Sequence, residues 1–168
     1  MDRFEDCIGL QMLFSKTFGY ALRSILYIAS KEAVESRDKI NWVQLEEIAE
    51  ELKVPRYFLG KVLKRLVKAG TLSSQKGPNG GFGINESTLA TSLLQITELT
   101  GEAIHSDTCV LQINKCKVSN PCVLHTRAQQ IRDQWVALLK ATTISDLLED
   151  RNRAIKNVIS TTAYQRSA

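Results

Sequence analysis

From residue 18 onward the apolar side chains Phe18, Ala21, Leu22, Ile25 and Ala29 fall at i, i+3, i+4, i+7 and i+11, one face of a helix over about residues 15–33. Asn41 followed three residues later by Gln44 resembles a capping box, and Leu45, Ile48, Ala49 and Leu52 then predict a second, shorter helix. A brief Lys53-Val54 turn follows. Pro55 suits a first helical turn, and Phe58, Leu59, Val62, Leu63 and Leu66 give a third apolar face that Gly70 terminates. The period then changes. Thr71 to Lys76 and Phe82 to Ile84 read as two short strands around the turn-rich Gly77-Pro78-Asn79-Gly80-Gly81. A short helical pattern (Leu89, Leu93, Leu94, Ile96, Leu99) leads through Thr100-Gly101 into an irregular segment. After the Asn120-Pro121 turn, Leu124, Ala128, Ile131, Trp135 and Leu138 alternate steps of four and three, the seam of a helix packed at a shallow angle. The segment 143–148 closes the fold.

Three helices and a hairpin in this order describe a mainly α fold with a small β-hairpin wing, a winged helix-turn-helix. The division expected is an extension over 1–11, the winged module over 12–87, a cysteine loop with a long C-terminal dimerisation helix over 88–148, and a polar tail over 149–168. The seam helix needs a partner. That partner is either the first helix of its own chain or, in the preferred reading, a second copy, because a two-fold dimer sets two recognition helices on successive turns of DNA.

Charge identifies the partner of the winged module. Between Leu52 and Asn85 stand seven basic residues (Lys53, Arg56, Lys61, Lys64, Arg65, Lys68, Lys76) and no Asp or Glu, in a chain whose net charge is +4. The rest of the chain, with 15 basic and 18 acidic residues, is net negative. A single-sign field in one module suits a polyanion, because each cation set near a phosphate releases condensed counterions. Arg56, Tyr57, Gly60, Lys61, Lys64 and Arg65 avoid the apolar face of the third helix and are the candidate contacts to double-stranded DNA; Lys76, Asn79, Gly80 and Gly81 on the wing would reach a flanking groove or phosphate. A solvated charged face is the plainer alternative for the helix, and a surface hairpin for the wing. A nucleotide-cradling loop is disfavoured, since the Lys-Ser/Thr of a P-loop is absent and a strand follows.

The acidic N-terminus carries no cationic, then apolar, leader, and Arg23 interrupts the most hydrophobic stretch well short of the roughly 20 residues that span a bilayer. A cytoplasmic protein is expected, with no membrane partner. There the four cysteines should stay reduced, which favours metal or redox chemistry over disulfides. Cys109, Cys116, Cys122 and His125 have the spacing Cys-x6-Cys-x5-Cys-x2-His. Thiolates and imidazole suit iron–sulfur clusters or zinc, and the wide gaps favour a cluster over structural zinc. Unliganded cysteines and a redox-active thiol pair are the alternatives. Cys7 reads as an ordinary thiol and His105 as a loop histidine. No His-Glu-x-x-His or Gly-x-Ser-x-Gly signature suggests an enzyme.

Several of these segments together resemble the Rrf-two family of bacterial transcription regulators, whose members include iron–sulfur and nitric-oxide-responsive proteins. They are Tyr20-Ala21-Leu22-Arg23, Leu59-Gly60-Lys61-Val62-Leu63-Lys64-Arg65-Leu66, the wing Lys76-Gly77-Pro78-Asn79-Gly80-Gly81-Phe82, the three cysteines, and Thr143-Ile144-Ser145-Asp146-Leu147. The resemblance implies a homodimer joined by the C-terminal helix, with a cluster in the loop before that helix communicating with the DNA-binding module. It also implies that Cys109, Cys116 and Cys122 are thiolate ligands and that His125 is the fourth ligand of a two-iron (2Fe–2S) cluster. A four-iron (4Fe–4S) cluster or zinc are the other occupants. This chain departs from the family pattern in the six-residue first gap, in Gly60 where a glutamate helps discriminate DNA sites, and in Gly19 where nitric-oxide sensors carry an aspartate ligand.

Overall fold

The computed structural model describes residues 14–32, 40–101 and 121–149. Cys7, His105, Cys109, Cys116 and the tail beyond Glu149 lie outside the described residues. The elements are α1 (Lys16–Glu32), α2 (Leu45–Leu52), α3 (Arg56–Lys68), β1 (Ser73–Gln75), β2 (Gly81–Gly83), α4 (Glu86–Ala90), α5 (Leu93–Thr100), α6 (His125–Ala141) and α7 (Ile144–Glu149). Helices α1 to α3 and the β1–β2 hairpin make a winged helix-turn-helix.

Helix α1 starts where the Ser15 hydroxyl accepts from the backbone N–H groups of Thr17 and Phe18. Of the predicted face, Phe18, Ala21, Ile25 and Ala29 are buried and Leu22 is half-buried; Ile28, outside that pattern, is buried as well. The core joins this face to Ile48 and Leu52 of α2, to Leu59, Val62, Leu63 and Leu66 of α3, and to Ile96 and Ile144 further along the chain. Each such side chain withdrawn from water contributes about 1.5–3 kcal/mol.

Asn41 does not cap α2. The N-cap is Gln44, with no side-chain cap, because the residue before it is used elsewhere. Val43 exchanges two backbone hydrogen bonds with Phe82, N to O at 2.9 and 2.8 Å, and so adds a third strand-like segment beside the hairpin. Extended backbone through Val43 and Gln44 cannot also begin a helix at Asn41. The α2–α3 turn is fixed by Lys53 in the left-handed region (φ 51°) and by the Arg23 guanidinium, which donates to the Leu52 carbonyl at 3.0 Å. A second tie joins α1 to α2. Tyr27 OH donates to Glu47 Oε1, and Lys31 Nζ reaches the same oxygen, both at 2.9 Å. The lysine's hydrogen bond holds the Glu47 carboxyl below its ordinary value, and the reciprocal bond pushes the Lys31 ammonium up.

The apolar pattern around Leu89 to Leu99 is two helices rather than one. Asn85 with Thr88 and Ser92 with Gln95 form successive capping boxes, and the second interrupts the run at Thr91-Ser92. The chain returns here at its end: Leu93 N–H donates to Thr142 O at 2.9 Å and Ile144 N–H to Thr91 O at 3.0 Å, while Thr143 and Asp146 bond reciprocally at the start of α7.

Helix α6 buries Leu139 and sets Trp135 against Phe14, with ring centroids 5.4 Å apart; Phe14 in turn stacks on Phe18 at 4.1 Å. The seam therefore divides. Trp135 serves its own chain, while Leu124, Ile131 and Leu138, spaced by sevens, are 37, 68 and 52% exposed. Among the described residues no helix is long and apolar enough to cross a membrane.

Candidate nucleic-acid interface and ligand loop

The burial of Leu59, Val62, Leu63 and Leu66 fixes which side of α3 faces water. On that side Arg56, Tyr57, Lys61, Lys64, Arg65 and Lys68 are all exposed. Tyr57 is 78% exposed, and the Lys61 ammonium lies 4.3 Å from the centre of its ring. That is a cation–π contact, which steadies a long side chain at a cost in freedom that a surface lysine otherwise keeps. Phe58 sits at the border, 38% exposed and edge-on to Tyr20.

Gly60 does not belong to this outward set. It is buried against α2, where a Cβ would meet Leu45 Cδ2 at 3.3 Å. Its small size serves helix–helix approach rather than exposure. The wing glycines are closely hemmed in as well. Gly80 is buried, and a Cβ there would run into the Gln75 carbonyl; at Gly81 it would run into the Val43 carbonyl. Both let the hairpin close on itself and on Val43. Of the four wing candidates Lys76 and Asn79 are exposed, and Gln44 anchors the tip by donating from Nε2 to Pro78 O at 3.1 Å. Between the wing, α3 and the start of α2 runs an open groove of about 410 Å3, whose polar lining includes Gln44, Glu46, Lys64, Ser74 and Gln75.

Glu46 was not visible as a site residue in the sequence, because it precedes the acid-free run. The fold nevertheless brings it onto the edge of the basic face, in an ion pair with Arg56. Neither partner is deeply buried.

Of the four candidate ligands, Cys122 and His125 are described. Both are half-buried at the N-terminal end of α6, within one turn that His125 N–H closes on Cys122 O at 3.0 Å. A thiol and an imidazole starting from one turn are a donor pair that fits an iron–sulfur cluster or zinc. Among the described residues no three such side chains gather, and the other two candidates, Cys109 and Cys116, lie outside them.

The chain is similar to known proteins. The Rrf2 (Rrf-two) family model, described as an iron-dependent transcriptional regulator, matches residues 14–150. The chain belongs to the Rrf2 family. It is 38% identical over 139 residues to an HTH-type transcriptional regulator of Aquifex aeolicus, covering 82% of this chain and 92% of that one. It is 26% identical over 133 residues to the HTH-type transcriptional regulator NsrR of Geobacillus kaustophilus, covering 79 and 86%. The structure of CymR, the global cysteine regulator of B. subtilis, superposes with a TM-score of 0.62 at 22% identity over 83% of this chain and 98% of that one, a likeness of fold alone. As an Rrf2 protein the chain is a DNA-binding transcription regulator and not an enzyme.

Proposed function

We propose that this Rrf2 regulator is a cytoplasmic homodimer that grips double-stranded DNA with α3 and the wing. In this reading it answers to redox state, iron or nitric oxide through an iron–sulfur cluster held by Cys109, Cys116, Cys122 and His125. Arg56, Tyr57, Lys61, Lys64 and Arg65 would face the major groove and its phosphates, with Lys76 and Asn79 flanking. The observation that carries the reading is the make-up of α6. One candidate ligand, His125, opens the helix and another, Cys122, stands in the turn just before it, while the N-cap Leu124 with Ile131 and Leu138 on the helix forms an exposed apolar stripe. A change in how Cys122 and His125 are held would then act on the helix that sets the spacing of two recognition helices, about 34 Å apart on successive turns of DNA. Coupling of this kind is typically worth about 1–3 kcal/mol.

When bound, a cluster supplies one-electron chemistry and reactivity toward oxygen and nitric oxide. The residues of the chain hold and orient it. His125 would be the one neutral ligand of the four, which raises the reduction potential relative to an all-thiolate set. The test is purification without oxygen, followed by iron, sulfide and zinc analysis with an absorption spectrum. About two iron and two sulfide per chain support the reading. Zinc without iron, or no metal, would replace it with a zinc site or a thiol switch. His125→Ala should bleach the chromophore, whereas His125→Cys should keep it at a lower reduction potential, because thiolate replaces a neutral ligand. A wild-type spectrum and potential in His125→Ala would remove His125 from the ligand set.

A further inference from the structure

The acid-free run begins at the last residue of α2, yet folding carries one carboxylate from the first turn of that helix into the basic face. Glu46, in the first turn of α2, pairs with Arg56, the first residue of α3. The partners stand ten positions apart in sequence and on different helices. Their side chains are 45 and 67% exposed, so both remain accessible to a ligand. Glu46 also lines the groove that Lys64 shares with the wing. A bare carboxylate there would repel any phosphate backbone, and its tolerance next to a candidate polyanion site calls for a role.

We propose that Glu46 is a positioning and specificity-determining residue: it holds the Arg56 guanidinium in one orientation and cancels its charge toward DNA of the wrong sequence. The inference rests on the DNA-binding reading of α3. Arginine has five N–H donors in a rigid fork, so a carboxylate can occupy one edge and leave the other for a base or a phosphate. On random sequence Arg56 gains nothing specific and Glu46 offsets its attraction, which lowers non-specific affinity. On the right sequence the second edge of the fork is used, and the arginine is already in place. Such an arrangement discriminates by weakening the wrong complex as well as by favouring the right one.

The test uses the full chain purified without oxygen and two probes: a duplex selected by the wild-type protein from a random-sequence pool, and a scrambled duplex of equal length and composition. Affinity for both is measured by fluorescence anisotropy across a salt series, with thermal unfolding as a check on folding. Glu46→Gln should tighten binding to the scrambled duplex about threefold to tenfold per site and steepen its salt dependence by about one ion, the slope expected for one more effective cation. Binding to the selected duplex should stay level or weaken, so the ratio of the two affinities falls. Arg56→Lys keeps the charge and loses the fork; its scrambled-duplex affinity should hold while the ratio falls. Equal tightening on both duplexes by Glu46→Gln would reduce Glu46 to a bystander charge and overturn the proposal. No change on either duplex would overturn it too. Should the wild type bind both duplexes weakly and without salt dependence, the fault lies with the DNA reading of α3 instead.

Discussion

A methyl group at position 60 would stand 3.3 Å from Leu45 Cδ2, closer than ordinary contact, yet Leu45 is only half-buried and can turn aside. Two effects then compete in Gly60→Ala. Alanine is favoured over glycine inside a helix by about 0.8–1 kcal/mol, while displacing one leucine rotamer costs about 0.5 kcal/mol or somewhat more. The substitution should be neutral to stabilising by about 0.5 kcal/mol, whereas Gly60→Leu should destabilise by about 1–3 kcal/mol through overpacking. Urea unfolding of the two variants checks both signs; a clear loss in Gly60→Ala would show that Leu45 cannot move. Gly81 behaves differently, because its would-be neighbour is the Val43 backbone, which has no rotamer to change. The sequence announced Lys61, Lys64 and Arg65 as outward residues because the apolar side chains of α3 fix the phase of the helix. It misplaced Gly60, since a residue without a side chain carries no sign of the face on which it lies.

At the scale of elements, local signals served where the chain satisfies its own backbone, and failed where a distant segment intervened. Leu59, Val62, Leu63 and Leu66 gave α3 directly, and Gly70, with φ 77°, closes it as read. The pairs Asn85/Thr88 and Ser92/Gln95 lay in the sequence as capping signals, but the continuous apolar pattern hid the break between α4 and α5. The start of α2 was beyond local reading, because it depends on Val43 pairing with Phe82 far along the chain. The α1–α2 tie carries a pH prediction. Glu47 is held below its ordinary value near 4.5, chiefly by the hydrogen bond from Lys31. A carboxylate depressed in the folded state stabilises the protein above its unfolded value and loses that contribution as pH falls through the folded one. Glu47→Gln should therefore cost something at pH 7 and progressively less at an acidic pH, as the carboxyl takes up its proton through the depressed folded-state value. Both charged side chains are more than two-fifths exposed, so the pH 7 difference should stay under about 1 kcal/mol. Denaturant midpoints of both proteins at the two pH values measure it, and an undiminished gap at low pH would trace the cost to lost packing instead.

For the whole molecule, the exposed stripe on α6 decides whether one chain is a finished unit. The sequence showed a five-residue seam but not how it would be shared; Trp135 is claimed by Phe14, a contact between residues 121 positions apart that no local pattern announces. Leu124, Ile131 and Leu138 remain, with Val123 beside them at 92% exposure. Three large apolar residues repeated every seven positions make the seam of a helix pair, and a second copy of α6 offers the same stripe in return. Ile131, at the middle of the row, is the residue to change. Because it is 68% exposed within one chain, Ile131→Glu should alter the stability of a single subunit by no more than about 0.5 kcal/mol. Between two copies the same change would bury two carboxylates side by side, which an apolar seam cannot solvate. Light scattering should therefore find wild-type dimers and Ile131→Glu monomers at micromolar concentration, with helical content by circular dichroism preserved. The monomer should also bind a two-half-site duplex far more weakly than the dimer, and only about as well as a single half-site, since linkage of the two recognition helices is lost. A wild-type monomer, or an Ile131→Glu dimer of unchanged strength, would assign the stripe to something other than a second copy of the chain.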